Sequence, residues 1–198
     1  MSSIAVDLFC EDHAHREFVR AMVERLAREE ASPVTVRERA AAGGHGAALT
    51  EFDRYQRLLT KNLLPIPDVV VVVIDANCRT YPQSVREIER HITPQLRGRV
   101  VVASPDPHVE RWYLADPQSF LSVVGASPRP TKRKCKRGFY KGVLLDAVRK
   151  AGHPVTLGGI EFARDIVDAM DLDRASRNNR PLERFISEAR AQLRTARG

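Results

Sequence analysis

A chain of 198 residues, 43% of them hydrophobic, is long enough to bury one proper core, and nothing in its composition implies disorder. The net charge of +7 is unevenly placed: residues 1–100 carry 14 Lys/Arg against 14 Asp/Glu, whereas 101–198 carry 18 against 11. The amino terminus has no basic region followed by an apolar one, and no apolar run reaches membrane-spanning length, so the expectation is a cytoplasmic protein with no membrane partner.

Ile4 to Cys10 is an apolar run with one charge inside it and reads as a first strand ending at Glu11-Asp12-His13. From His13 to Glu30, Phe18, Met22, Val23, Leu26 and Ala27 recur at helical spacing. Val34 to Arg39 alternates like a second strand. The Ala41-Ala-Gly-Gly-His-Gly46 connection lacks the Gly-Lys-Ser/Thr ending of a phosphate loop. A second amphipathic helix is expected over Thr50–Leu64, capped by Thr50.

The central feature is Val69 to Ile74, six consecutive β-branched residues. The run is too short for a buried helix and too uniform for a strand with one wet face, so it predicts a central parallel strand. At its carboxyl end, where open α/β sheets place their ligand crevice, stands Asp75-Ala-Asn77. Taken alone, Asp75 would be read as opening a turn or capping a helix. A third helix between Tyr81 and Leu96, a strand at Arg99–Ala103 and a turn into Val109-Glu110-Arg-Trp-Tyr-Leu-Ala-Asp116 follow. Beyond these, helices are expected at about 117–124, 138–151, 158–171 and 181–195.

The alternation of strand and helix implies a parallel sheet of about four strands flanked by helices. Residues 1–116 form this α/β core, and 117–198 a basic helical extension packed on it. Cys10, Cys78 and Cys135 lack paired spacing and read as reduced thiols. Residues 128–150 hold nine basic side chains against one acid, centred on Lys132-Arg-Lys-Cys-Lys-Arg137, which points to a polyanion; a solvated basic loop is the bland alternative.

All tips of a parallel sheet point one way, so Glu11, Asp75, Asn77 and Glu110 converge in this reading, like a site for Mg²⁺ or Mn²⁺. His13 and His15 could position phosphate, but at a helix start they read rather as surface histidines. Asp116 is expected to cap the next helix, with Trp112 and Leu114 in the core.

Glu after the first strand, an Asp-x-Asp-like pair after the third, and Glu within Val-Glu-Arg-Trp-Tyr-Leu-Ala-Asp resemble the TOPRIM fold. The likeness is to stand-alone TOPRIM-like proteins related to the DUF4276 group and to the nuclease domain of the overcoming-lysogenization-defect (OLD) family. The segments Gly159–Leu172 and Pro181–Ile186 also look like that group. The resemblance implies a metal-dependent nuclease on DNA or RNA in a prokaryotic defence or DNA-processing system, often working with an ATPase partner subunit. Glu11, Asp75 and Glu110 match its metal and general-base acids, and Asn77 stands where a second aspartate is expected. Asp12 replaces a usual glycine. Lys136 or Lys141 would stabilise the transition state, and Lys132, Arg133, Lys134, Lys136, Arg137 and Tyr140 would contact nucleic acid. A catalytically impaired subunit that binds nucleic acid or joins a complex is the alternative. A small-molecule phosphoryl-transfer enzyme is disfavoured by the absence of a glycine-rich nucleotide loop.

Overall fold

A computed structural model describes residues 3–40, 44–129 and 133–198. Four strands, β1 (Ile4–Cys10), β2 (Val34–Ala40), β3 (Val69–Val73) and β4 (Val100–Ala103), form one parallel sheet in the order β2-β1-β3-β4. The valine run is therefore interior to the sheet, and its residues divide by parity. Val69, Val71 and Val73 join one hydrophobic cluster, while Val70, Val72 and Ile74 join the other. With both faces covered, every β3 side chain leaves water, which is why the strand has no polar alternation.

Helices α1 (His13–Glu29), α2 (His45–Thr60) and α3 (Tyr81–Arg90) fill the connections. Asp12 caps α1 by accepting the His15 N–H at 3.1 Å. The second helix begins five residues before the expected Thr50: Gly44 precedes it, and the Thr50 hydroxyl donates to the Gly46 carbonyl at 2.9 Å from inside the helix. It stops at Thr60, with Asn62 left-handed (φ 57°) shortly after. The third helix is shorter than expected, since Pro94 forces a break and only a 3-10 turn, Pro94–Leu96, continues.

After β4 come α4 (Glu110–Tyr113), α5 (Pro117–Val124), α6 (Phe139–Lys150), α7 (Ala163–Ala169), α8 (Leu172–Asn178) and α9 (Arg180–Arg197). Asp116 caps α5 as expected. The helix expected over 158–171 is instead a 3-10 turn plus α7. Asp171 then starts α8, its carboxylate accepting the Arg174 N–H at 2.9 Å. Leu182, Phe185, Ile186, Ala189 and Leu193 of α9 join α1 in the cluster on one sheet face, where Phe185 stacks on the buried Trp112 at 5.4 Å. The other face is covered by α2 and α3. Among the described residues, no helix is long and apolar enough to cross a membrane.

The register fixes the functional edge. Cys10 pairs with Val73 and Val73 with Ala103, so β1, β3 and β4 end level with one another. Hydrogen bonds from Ile74 N–H to Ala103 (3.1 Å), Ala76 N–H to Pro105 (2.8 Å) and Asn77 N–H to Pro107 (3.0 Å) then lace the loops beyond the tips together.

Candidate metal and phosphate site

Glu11 leaves β1 with its N–H bonded to the Val73 carbonyl at 3.2 Å, and its Oε2 accepts the Asp75 N–H at 3.1 Å. The first and third strand tips are thus joined through an acid. Asp75 is nearly buried (8% exposed), and both of its carboxylate oxygens meet imidazoles: His15 Nε2 lies 2.8 Å from Oδ1 and His108 Nδ1 3.0 Å from Oδ2. The other nitrogen of His15, Nδ1, lies 2.7 Å from Asp12 Oδ1.

His15 is completely buried, in contrast to the surface position expected for it, whereas His13 is exposed as expected. Its place was readable after all: His15 lies one turn before Phe18 and Val19, on the apolar stripe that α1 turns inward. Burial alone would push the imidazole toward neutrality, but the charge of Asp75 and the bonds to Asp12 and Asp75 outweigh it and hold the ring protonated well above its ordinary range. Reciprocally, Asp75 is lowered overall, since His15 and His108 together outweigh its burial, and Asp12 falls to about 2 because its bonds to His15 overcome its desolvation. His108, which the sequence did not mark, is raised by its bond to Asp75. Its Nε2 is buried with no hydrogen-bond partner.

The remaining acids behave oppositely. Glu11 is raised by burial and by the charge of Asp75, and Glu110, at the start of α4, is raised by burial and again by Asp75. Burial is the larger cause for both, and the charge of Asp75 adds to it. Ligand atoms of Glu11, His15 and Asp75 lie within 4.8 Å of one another. Because both His15 nitrogens are engaged, the carboxylates of Glu11 and Asp75 are the better donors, and they suit a hard divalent ion.

These groups border a cleft of about 600 Å³ lined also by Asn77, Glu110, His108, Arg39, Arg137 and Lys141. The structure thus brings Glu11, Asp75, Asn77 and Glu110 to one cleft, with Lys141 and Arg137 on its wall. Asn77 stands in the left-handed region (φ 54°), and its Nδ2 donates to the Asp75 carbonyl at 3.3 Å. Lys136 lines a neighbouring groove rather than this cleft.

The other basic residues are partly spent within the fold. Arg133 pairs with Asp106 at 2.8 Å, and the Lys134 ammonium lies 4.8 Å from the centre of the Phe139 ring. Tyr140 is buried, and its hydroxyl accepts the Lys134 N–H at 2.9 Å, so its ring is not exposed to a base. Lys132 lies outside the described residues.

The reading of the cysteines as reduced thiols is overturned. Cys78 and Cys135 form a disulfide, Cα atoms 5.4 Å apart, and only Cys10 is a free thiol. The bridge pins the basic segment to the loop that follows Asn77; a separation of 57 residues carries no spacing signal from which it could be read. Cys10 is buried and its proton affinity raised by desolvation, which makes it a poor nucleophile.

Comparisons with protein-family models, with curated proteins and with solved structures find no match to this chain.

Proposed function

We propose that this protein is a Mg²⁺- or Mn²⁺-dependent phosphodiesterase acting on DNA or RNA. The carrying observation is the cleft itself, which is lined by the acids Glu11, Asp75 and Glu110 together with the cations Arg137 and Lys141. Among the described residues, neither of these two cations has an ion-pair partner. Acids that need a cation, facing cations that need an anion, are what a metal-assisted phosphate site requires.

Glu11 and Asp75 would hold the ion, with Asn77 Oδ1 and Glu110 beside them. A bound divalent ion would supply charge neutralisation for the phosphate and would acidify a water. Glu11 takes the proton of the attacking water. Lys141 and Arg137 face the charge that grows on the phosphate oxygens, and His108 helps to orient Asp75 through Nδ1. His15 touches no substrate here; it positions Asp75.

The TOPRIM-like motifs support the same reading, and extend it to a cytoplasmic role in defence or DNA processing beside an ATPase partner subunit. Cleavage of labelled single- and double-stranded DNA and RNA with Mn²⁺, with Mg²⁺ and with a chelator tests the activity. Metal-dependent cleavage lost in Glu11→Gln is expected; no cleavage of any substrate, together with no metal-dependent rise in melting temperature, would overturn it.

A second reading, a subunit that binds nucleic acid without cutting it, is favoured by one observation: both oxygens of Asp75 already hold imidazoles, which balance its charge without a metal. Binding that is unaffected by chelator and by Glu11→Gln, with no cleavage, would select it.

A further inference from the structure

Beside the cleft lies a second groove of about 320 Å³, lined by Arg129, Lys136, Arg137 and Lys150, with the half-buried Phe139 on its wall and Asp146 as its one acid. Arg137 and Gly138 line both depressions, so the two are continuous around the amino end of α6. Among the described residues none of the four cations has an ion-pair partner, whereas those flanking α1 are tied down: Arg28 to Asp168, Arg190 to Glu29 and Arg194 to Glu30. These four cations all line one groove whose lining holds a single acid, Asp146.

Gly142 is a second, independent observation. It sits inside α6, where glycine is unfavourable relative to alanine, and a Cβ added there would meet nothing within 4 Å. Neither a left-handed backbone nor close packing requires glycine at this position. Its missing side chain instead leaves the groove open.

We propose that this groove is a second phosphate-binding subsite that carries a single-stranded polynucleotide away from the cleft. The inference rests on the phosphodiesterase reading above and adds its substrate class: a strand long enough to cross Arg137, not a mononucleotide or an isolated diester. A depression of about 320 Å³ matches a group the size of one or two nucleotides. A cationic track with an aromatic wall is the chemistry by which single strands are held without sequence preference. An acidic peptide would satisfy the cations but not the continuity with a cleft built around a phosphate.

The test is fluorescence anisotropy with labelled oligo-dT and oligo-rU across a salt series, in chelator, on the wild type, on Arg129→Gln/Lys150→Gln and on Gly142→Leu. Both variants are expected to bind the strands more weakly and a dinucleotide as the wild type does. The double variant's log–log salt slope should be shallower by about 1.4, at roughly 0.7 per lost phosphate contact. Preference between the two oligonucleotides assigns DNA or RNA as the strand. Unchanged affinity and slope in both variants would overturn the subsite, as would equal displacement of the strand by poly-glutamate, or tighter binding of a duplex. Cleavage of the labelled oligonucleotides by the wild type with Mn²⁺ is read separately. Its absence would remove the catalytic reading, while the anisotropy would still decide the groove.

Discussion

His15 is clamped between two carboxylates, with Nε2 2.8 Å from Asp75 Oδ1 and Nδ1 2.7 Å from Asp12 Oδ1, so the first turn of α1 is bonded through one imidazole to the tip of β3. A ring with acceptors on both nitrogens is most stable when both carry protons. Truncation would leave Asp75 buried beside an empty space. His15→Ala is therefore expected to cost on the order of 3 kcal/mol, and the loss is read as a lower urea midpoint at unchanged slope. A cost below about 1 kcal/mol would show that Asp75 is held without it.

The same clamp sets a pH dependence for the metal-free protein. His15 has its proton affinity raised on folding, so its contribution is complete below its ordinary value of 6.5 and is lost as pH rises through the higher folded value. Asp12 and Asp75 are lowered, so theirs is present above their ordinary 3.8 and lost as pH falls through the folded values, about 2 for Asp12. In chelator, the contribution of this triad should be greatest between these limits and decline on the alkaline side. Denaturant titrations across pH, with His15→Gln as the control, check this; an alkaline limb equally steep in the variant would refute it.

Metal binding should appear in stability before it appears in catalysis. Mn²⁺ or Mg²⁺ at about 100 times its dissociation constant would add about 2.7 kcal/mol to the wild type and raise its melting temperature. In Glu11→Gln the rise should be small, because one of the two best-placed donors becomes neutral while the Asp75 N–H keeps an acceptor. An identical rise in both proteins would place the ion elsewhere.

How much of this was legible in the chain depends on whether the signal was local. The β3 run and the acids at the tips were readable because strand burial and tip direction follow from hydropathy and parallel topology, which need no knowledge of partners. The role of His15 was missed because a charged-type residue at a helix start was weighed by its chemistry rather than by its place on the stripe with Phe18 and Val19. The basic run read as one unit, yet folding divides it: Arg133 goes to Asp106, Lys134 to Phe139, and, among its described residues, Lys136 and Arg137 face open grooves. Asp106 lies 27 residues before Arg133. Local pattern cannot name such a partner.

Asn77 combines a backbone requirement with a chemical one. At φ 54° an asparagine is tolerated, whereas a β-branched residue is strained, so Asn77→Val should cost about 1–2 kcal/mol and Asn77→Gly very little. Asn77→Asp keeps the conformation and adds a full charge at the cleft, which should tighten Mg²⁺ or Mn²⁺ binding in calorimetric titration. Weaker or equal binding by that variant would mean that residue 77 is there for the turn alone.

The Cys78–Cys135 bridge holds the basic segment against the loop that follows Asn77, and so couples the two walls of the proposed site. Both cysteines are exposed, so a soluble dithiol can reach them, exchanging its own two thiols for the protein disulfide. Opening a loop whose ends are 57 positions apart restores chain entropy to the unfolded state, and stability should fall on the order of 3 kcal/mol. The local consequence matters more for function. Arg137 lies only two residues beyond Cys135, before α6 begins at Phe139, so release should loosen the cation that lines both cleft and groove. Oligonucleotide affinity is thus expected to drop on reduction, and in a Cys78→Ser/Cys135→Ser variant to be low and insensitive to dithiol. Anisotropy with and without reductant, on both proteins, separates this from a purely global effect. If reduction lowers the melting temperature yet leaves strand affinity unchanged at a temperature where both forms are folded, Arg137 is held by α6 and Asp106–Arg133 rather than by the bridge, and the disulfide is a stabilising link only.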